Sequence, residues 1–204
     1  MNSNVSEASA VLQERKDFAV IAEIIQPGSR VLDLGCGGGE LLEWLIHNKG
    51  ISARGVEISP VKARQAITRG VSVYQGDIEE SLADYPDQAF DYVILSQTLQ
   101  ETVRPLEVLR AMLRVGRRAI VSFPNFGHWS MRLSMLFSGQ APRTKLFPYE
   151  WYESPNIHFL SVRDFERLAT LHGFRVERRL FLSGGKRLSF LPNLRSQVAV
   201  FLIG

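Results

Sequence analysis

The sequence VLDLGCGGGE at residues 31–40 decides the fold of this 204-residue chain. It joins a short apolar strand, residues 30–34, to a glycine-rich turn, and helical periodicity begins at Glu40. In open α/β sheets, ligands bind beyond the carboxyl ends of the strands, and glycines let the backbone approach them closely. We therefore expect a small-molecule site at this turn.

Two classes of ligand fit such a turn. A dinucleotide requires the pattern G-x-G-x-x-G, but with Gly35 and Gly37 as the first two glycines the third position is Glu40. A carboxylate there opposes a pyrophosphate at the N-terminus of the helix, where anions are otherwise favoured. Asp33, two residues before the first glycine, favours instead a ligand with a cationic end.

Strands and helices alternate along most of the chain. Besides the first strand, the hydrophobic pattern predicts strands at residues 53–58, 71–75, 90–95, 119–123, 174–181 and 197–203. Alternating elements with short joints are typical of a parallel sheet covered by helices on both faces. We predict an α/β protein with a doubly wound, mostly parallel, seven-stranded Rossmann-like sheet.

The length of the chain is that of one domain. Residues 1–16 are polar and are expected to form a flexible N-terminal tail, so the domain is predicted to span residues 17–204. Residues 125–160 break the alternating rhythm and are rich in aromatic, Pro, Asn and His residues, which indicates an insertion. Ser161 and Asp164 then resemble a capping box that opens a new helix.

Composition excludes several classes of protein. With 45% hydrophobic and 22% charged residues, the chain is neither disordered nor a coiled coil. The single cysteine excludes an internal disulfide, and the four histidines lie far apart, so no metal site is expected. No apolar run approaches the roughly 20 residues of a membrane span, and no signal-peptide core is present. We therefore expect a soluble, cytoplasmic protein with no membrane contact.

Charge is divided unevenly along the chain. Residues 1–100 contain 8 basic and 14 acidic residues, whereas residues 101–204 contain 16 and 7. Such asymmetry can indicate a nucleic-acid-binding face. The basic residues form no long run and no recognisable binding module, so we interpret them as a solvated surface and predict no nucleic-acid partner.

Residues 31–40 resemble the first motif of class I methyltransferases that depend on S-adenosylmethionine (SAM). The resemblance implies that Gly35 and Gly37 pass beside the methionine part of SAM or its product S-adenosylhomocysteine (SAH), and that Asp33 reaches the amino group. Glu57, 24 residues after Asp33, matches the acid that holds the ribose hydroxyls. The same resemblance implies further cofactor contacts from Cys36, Ile58, Asp77, Ile78, Ser96 and Gln97.

These positions also have plain structural interpretations. Asp33 could cap the next helix, Glu57 could be a solvated acid at a strand end, and Asp77 could be an ordinary turn residue. Cys36 is predicted to be a packing residue rather than a nucleophile, because nothing near it in sequence would lower the pKa of its thiol.

A cofactor site does not by itself imply catalysis. Methyl transfer from a sulfonium is a displacement that depends mostly on positioning, so many enzymes of this class need no particular catalytic residue. The segment after the fifth strand offers three candidates for a general base, which are His128, Tyr149 and His158. Alternatively, the aromatic residues around them form a lid or a protein interface.

Three motifs together resemble a narrower family, the MetW methionine biosynthesis proteins, across nearly all of residues 19–203. They are VLDLGCGGGELL, SFPNFGHW and YEWYESPNIHFLSVRDFE. The resemblance implies an accessory protein that acts with homoserine O-acyltransferase to promote the acylation of homoserine.

The chain departs from the general methyltransferase pattern at two positions. Many relatives have Leu-Glu-His where this chain has Leu99-Gln100-Glu101, and Lys-Pro-Gly-Gly where it has residues 115–118. Both changes lie near the substrate side or its support, and they put methyl transfer in doubt more than cofactor binding. The alternative to an accessory protein is an active SAM-dependent methyltransferase whose small-molecule acceptor enters between residues 125 and 160.

Overall fold

The computed structural model describes residues 15–144 and 147–204. In these residues the strands are β1 (Arg30–Leu34), β2 (Ser52–Glu57), β3 (Ser72–Gln75), β4 (Phe90–Ser96), β5 (Gly116–Pro124), β6 (Val176–Ser183), β7 (Lys186–Leu188) and β8 (Val198–Ile203). The helices are α1 (Lys16–Ile24), α2 (Glu40–Lys49), α3 (Pro60–Thr68), α4 (Ile78–Ala83), α5 (Pro105–Val115), α6 (Trp129–Ser138), α7 (Val162–Leu171) and α8 (Pro192–Arg195). A 3-10 turn covers Leu99–Glu101.

The described strands form one sheet in the order β3-β2-β1-β4-β5-β8-β6-β7. The five N-terminal strands pair in parallel, whereas β8, β6 and β7 pair in antiparallel fashion. The predicted α/β class and mostly parallel sheet are confirmed. The prediction of seven strands is wrong, because β7 adds an eighth. It has only three residues, too few for an alternating pattern to be recognised in the sequence.

Helices cover both faces of the sheet. Alternate residues of a strand point to opposite faces, and Val31 and Leu32 of β1 accordingly belong to two separate apolar cores. Leu32 packs in a core with residues of α4, α5 and α7, whereas Val31 packs in a core with residues of α1, α2 and α3. The near-continuous apolar character of the central strands follows from this burial on both sides.

Local sequence signals account for several helix starts. The capping box predicted at Ser161 and Asp164 is confirmed, since each side chain accepts a hydrogen bond from the other residue's backbone N–H. Gly39 precedes α2 with a φ of +84°, and a Cβ built there would lie 2.8 Å from the Cβ of Ala66. Glycine is therefore required where α2 packs against α3.

The predicted insertion at residues 125–160 contains α6 and mostly irregular chain. Asn125, the first residue of this insertion, is fully buried and bonds to three backbone groups. Its Oδ1 accepts hydrogen bonds from Gly127 N–H and Val162 N–H, and its Nδ2 donates to the carbonyl of Ser196. By contrast, the described side chains of α6 include one buried residue, Met131. The segment is thus fixed at its base and exposes most of one helix.

Two predictions concern parts of the chain that are described incompletely or not at all. Residues 1–14 of the predicted tail lie outside the described residues, and α1 begins at Lys16, one residue before the predicted domain boundary. Within the described ranges, no helix combines the length and the apolar character that crossing a bilayer requires.

Candidate cofactor site

A cleft of about 460 Å³ opens at the carboxyl ends of β1, β2 and β4. The sheet topology gathers most of the predicted cofactor residues around it, because the ends of neighbouring parallel strands meet at one edge. The predicted residues that line the cleft are Gly35, Gly37, Glu57, Ile58, Asp77, Ile78, Ser96 and Gln97. The other two, Asp33 and Cys36, are buried and do not line it.

Glu57 connects β2 to the glycine-rich turn. Its Oε2 accepts a hydrogen bond from Gly37 N–H at 2.9 Å, and its Oε1 accepts one from Ser59 N–H at 2.8 Å. With 6% of its surface exposed, Glu57 is not the solvated acid that the plain interpretation suggested. Each carboxylate oxygen can accept a second hydrogen bond, so Glu57 still has acceptor capacity on the side of the cleft.

The glycine-rich turn leaves open space beside Gly37. Its φ is +58°, and a Cβ built there would meet no atom within 4 Å. At Gly35, whose φ is +75°, a Cβ would lie 3.0 Å from Oγ1 of Thr98. Glycine at both positions keeps the turn in a left-handed conformation and keeps side chains out of the cleft.

Asp33 is a buried acid with an unsatisfied oxygen. It is 4% exposed, and its Oδ1 has no hydrogen-bond partner within the described residues. Burial raises the pKa of Asp33 to about 8, the charges of Glu57 and Asp17 act in the same direction, and Arg15 opposes them. Asp33 does not cap α2, which begins after Gly39 with no side-chain cap. A buried acceptor of this kind fits a cationic donor.

Sequence reasoning missed Arg15 and Asp17. Arg15 lines the cleft, and its Nη2 and Nε donate to the carboxylate of Asp17 at 2.9 and 3.1 Å. Burial opposes ionisation of Asp17, but the hydrogen bonds and charge of Arg15 outweigh it and hold the pKa of Asp17 below its ordinary value. The guanidinium also lies over the ring of Phe18, 4.1 Å from its centroid.

Asp17 and Arg15 are fixed to β4 as well. The hydroxyl of Ser96 donates to Asp17 at 3.0 Å, and Nη2 of Arg15 donates to the same hydroxyl at 3.3 Å. No local pattern in the sequence could have indicated this, because Arg15 and Ser96 are 81 residues apart. Arg15 is therefore a fixed cation in the lining of the cleft, and its charge acts on the buried acid Asp33.

The three candidates for a general base do not line the cleft. His128 is buried and caps α6, where its Nδ1 accepts a hydrogen bond from Ser130 N–H at 3.3 Å and lies 2.7 Å from the hydroxyl of Ser130. Burial lowers the pKa of His128. Tyr149 and His158 are exposed. Among ionisable residues that do line the cleft, Glu101 has a pKa raised by partial burial.

Cys36 has the environment of a packing residue. Its thiol is buried and packs against Gly55, where a Cβ would lie 2.5 Å from the sulfur. Burial, followed by the charges of Asp33 and Glu57, raises the pKa of the thiol. Residues 15–144 and 147–204 contain no group of three or more His, Cys, Asp or Glu side chains placed to hold a metal ion.

Comparisons with known proteins identify the family of the chain. A family model described as "Methionine biosynthesis protein MetW" matches residues 15–203. The bifunctional methionine biosynthesis protein MetXA/MetW of Rhodopirellula baltica is 35% identical over 197 residues, which cover 90% of this chain and 32% of that protein. The chain thus spans about a third of the length of that relative.

Other relatives share the fold. A demethylmenaquinone methyltransferase of Listeria welshimeri is 26% identical, over 91% of this chain and 86% of that protein. Among solved structures, a SAM-dependent methyltransferase from Archaeoglobus fulgidus matches with a TM-score of 0.65 at 18% identity, over 98% of this chain and 93% of that one. The fold is that of the SAM-dependent methyltransferases.

Proposed function

Because the chain belongs to the MetW family of methionine biosynthesis proteins, we propose that it binds SAM or SAH in the cleft and acts as an accessory protein of homoserine O-acyltransferase, promoting the acylation of homoserine. The observation that carries the cofactor assignment is a cleft lined by Glu57 and Gly37, with the buried and unsatisfied acid Asp33 two residues before Gly35, which also lines the cleft. The partner assignment is supported by the bifunctional relative, whose name combines MetXA and MetW. We take MetXA to be the acyltransferase.

The residues present fit a nucleoside that carries an amino acid. In the proposal, the remaining acceptor capacity of Glu57 holds the ribose hydroxyls, and the space beside Gly37 admits the chain between ribose and amino acid. Ile58 lines the cleft with 67% of its surface exposed, which suits contact with a planar base. Asp77 borders the same end, although its Oδ1 already caps α4 by accepting from Glu79 N–H at 2.7 Å.

The amino-acid end of the ligand requires an anionic partner for its ammonium and a cationic partner for its carboxylate. Asp33 offers an unsatisfied acceptor for the ammonium, and the guanidinium of Arg15, held by Asp17 through Nε and Nη2, offers Nη1 as a charged donor for the carboxylate. Ser96 and Gln97 border this end. When bound, SAM supplies a methyl group on a sulfonium.

The insertion at residues 125–160, which we call the aromatic segment, supports a role in protein contact. Among the described residues of the range 129–159, the exposed large apolar side chains are Trp129, Leu133, Met135, Leu136, Phe137, Tyr149, Trp151, Tyr152, Ile157 and Phe159, which we call the aromatic surface. None of them lines the cleft. Exposed Trp, Tyr and Phe are enriched in protein interfaces, and we therefore assign the aromatic surface to contact with the acyltransferase rather than to a lid over the cofactor.

A second function is favoured by one observation. Glu101 lines the cleft with a raised pKa, which is a property of general bases. If a small-molecule acceptor binds beside it, the chain is a methyltransferase. This alternative predicts that SAH forms from SAM only when the acceptor is present.

Native mass spectrometry of the chain produced together with the acyltransferase tests both parts of the proposal. We expect a bound nucleoside of the mass of SAM or SAH, and a complex of the two proteins. Calorimetry with SAM and SAH then measures the affinity of the purified chain. Absence of binding would remove the cofactor assignment, and acceptor-dependent formation of SAH would favour the methyltransferase.

A further inference from the structure

The turn that follows β4 forms part of the cleft and also anchors the aromatic segment. On one side, Gln97, Thr98 and Glu101 line the cleft. On the other side, the carbonyl of Gln100 accepts hydrogen bonds from Ile157 N–H at 2.9 Å and from His158 N–H at 3.0 Å. We call residues 97–102 the shared turn.

The shared turn has two energetically unfavourable features, a left-handed residue and a buried oxygen without a hydrogen-bond partner. Gln97 has a φ of +56°, a left-handed conformation that residues other than glycine seldom adopt. It is held there by hydrogen bonds from its N–H to the carbonyl and the hydroxyl of Ser122, at 2.9 and 3.1 Å. The side chain of Gln100 is buried, and although its Nε2 donates to the carbonyl of Gln97 at 2.6 Å, its Oε1 has no partner within the described residues.

Strained backbone and an unsatisfied buried oxygen both raise the free energy of a conformation. Because both features raise the free energy of the observed conformation of the turn, a change in a neighbouring contact can shift the turn to a second conformation. Both features lie between the cleft and the aromatic segment. They therefore occupy the position from which binding in the cleft can alter the anchor of that segment.

The two hydrogen bonds to the Gln100 carbonyl also position the aromatic residue that follows them. Phe159 follows directly after His158, and its ring centroid lies 4.6 Å from that of Phe126 and 6.4 Å from that of Phe147. Ile157 and Phe159 also belong to the aromatic surface. A shift of the Gln100 carbonyl would thus be transmitted to exposed side chains at one end of that surface.

We propose that the shared turn couples the cleft to the aromatic segment, so that a ligand bound against Gln97 and Thr98 changes the seating of residues 155–160 through Gln100. This inference rests on the proposed function for the identity of the ligand. Gln100 acts as a positioning residue, since it does not line the cleft. By linkage, whatever binds residues 155–160 changes the affinity for the ligand by the same factor.

Hydrogen–deuterium exchange of the full chain, with and without saturating SAH, measures the coupling. We expect the amides of residues 156–160 (Pro155 has no backbone N–H) to exchange about 5-fold to 150-fold more slowly with SAH bound, the usual range of coupling between sites. The amides of β6, which is remote from the shared turn in the sheet order, serve as the internal reference.

Gln100→Leu removes both polar atoms of the side chain and substitutes no residue that lines the cleft. We expect its affinity for SAH to stay within about 3-fold of that of the wild type, equivalent to less than 1 kcal/mol, while the slowing at residues 155–160 is lost. Gln100→Met, which is closer in shape, replaces it if Gln100→Leu does not fold. Gln65→Leu, at an exposed position on α3, is the matched control and should retain the slowing.

The outcomes separate the inference from the proposed function. If calorimetry detects no SAH binding, the proposed function fails and the coupling fails with it. If SAH binds and the exchange of residues 155–160 is unchanged, the coupling is overturned and the cofactor site stands. If Gln100→Leu retains the full slowing, the route through Gln100 is overturned.

Discussion

The carboxylate of Glu57 accepts a hydrogen bond from the backbone N–H of Gly37 at 2.9 Å, across 20 residues of sequence. One side chain at the end of β2 therefore shapes the glycine-rich turn and faces the cleft at the same time. The turn is also attached to β2 by its own backbone, because the N–H groups of Gly35 and Cys36 both donate to the carbonyl of Val56. This arrangement makes Glu57 the most informative position for testing ligand binding.

Glu57→Ala should abolish measurable binding of SAM and SAH. Hydrogen bonds from two ribose hydroxyls to a carboxylate contribute about 1.5–3 kcal/mol each, and their loss corresponds to at least about a 100-fold weaker affinity. Calorimetry measures the change. Glu57→Gln retains an acceptor oxygen for the backbone and should bind better than Glu57→Ala. Equal affinity of all three proteins would remove Glu57 from the site.

Gly37→Val should prevent ligand binding by filling the open space in the turn. A left-handed non-glycine residue also costs about 1–3 kcal/mol of stability, so a matched control is needed. Gly50 has a similar φ of +60° and similarly open surroundings, but it ends α2 away from the cleft. Gly50→Val should lose comparable stability in thermal unfolding and keep ligand binding. Loss of binding in both variants would indicate a general effect of misfolding.

Affinity for SAH should increase with pH up to about pH 8. In the empty protein the pKa of Asp33 is raised to about 8, so the carboxyl is neutral at pH 6–7, and it must lose its proton to accept the ligand ammonium. Below pH 8 the affinity should fall by up to about tenfold per pH unit. Calorimetry in buffers of different ionisation enthalpy should detect the released proton. Asp33→Asn should lose this pH dependence, whereas the exposed control Asp84→Asn should keep it.

Asp33 should also make the empty protein less stable as the pH rises. Its pKa is raised above the ordinary value of 3.8, so between about pH 4 and pH 8 the folded state retains a proton that the unfolded state has released. The contribution of Asp33 to the free energy of unfolding therefore decreases through this window. Asp33→Asn, which cannot ionise, should lose less stability than the wild type between pH 5 and pH 8. Denaturant unfolding at pH 5 and pH 8 checks the sign.

Arg15 should discriminate between ligands with and without an amino-acid end. Arg15→Gln removes charge-assisted hydrogen bonds of about 1.5–3 kcal/mol, so SAH should bind roughly 10-fold to 100-fold more weakly. 5′-Methylthioadenosine lacks the amino acid and should bind equally well to both proteins. Because Asp17 would be left buried without its partner, the double variant with Asp17→Asn is the control for folding. Equal weakening of both ligands would contradict the assignment.

Eight of the ten residues that the sequence predicted to contact a cofactor line the cleft, since they follow directly on predicted strands. Glu57 and Asp77 end up at one edge because parallel strands end there, whatever their distance in sequence. The structure also shows which of these side chains cap a helix. It shows Asp77 capping α4, and it shows Asp33 unsatisfied rather than capping α2.

The remaining features depend on contacts that no local pattern records. Arg15 lies at the boundary of the predicted tail, and its position in the lining of the cleft is fixed by Asp17 and the distant Ser96. The three-residue strand β7 is too short for periodicity to detect. The aromatic surface was recognised by composition, but only the structure separates the exposed Trp151 from the buried Phe147.

The rate of homoserine acylation by the purified acyltransferase, measured with and without this chain, tests the accessory role most directly. Trp151→Ser, at a residue of the aromatic surface that is 75% exposed, should weaken any effect, while Ile67→Ser, at an exposed residue of α3, is the matched control. We predict that equimolar chain increases the rate, that Ile67→Ser does the same, and that Trp151→Ser does so less. An unchanged rate with no complex between the two proteins would contradict the accessory role.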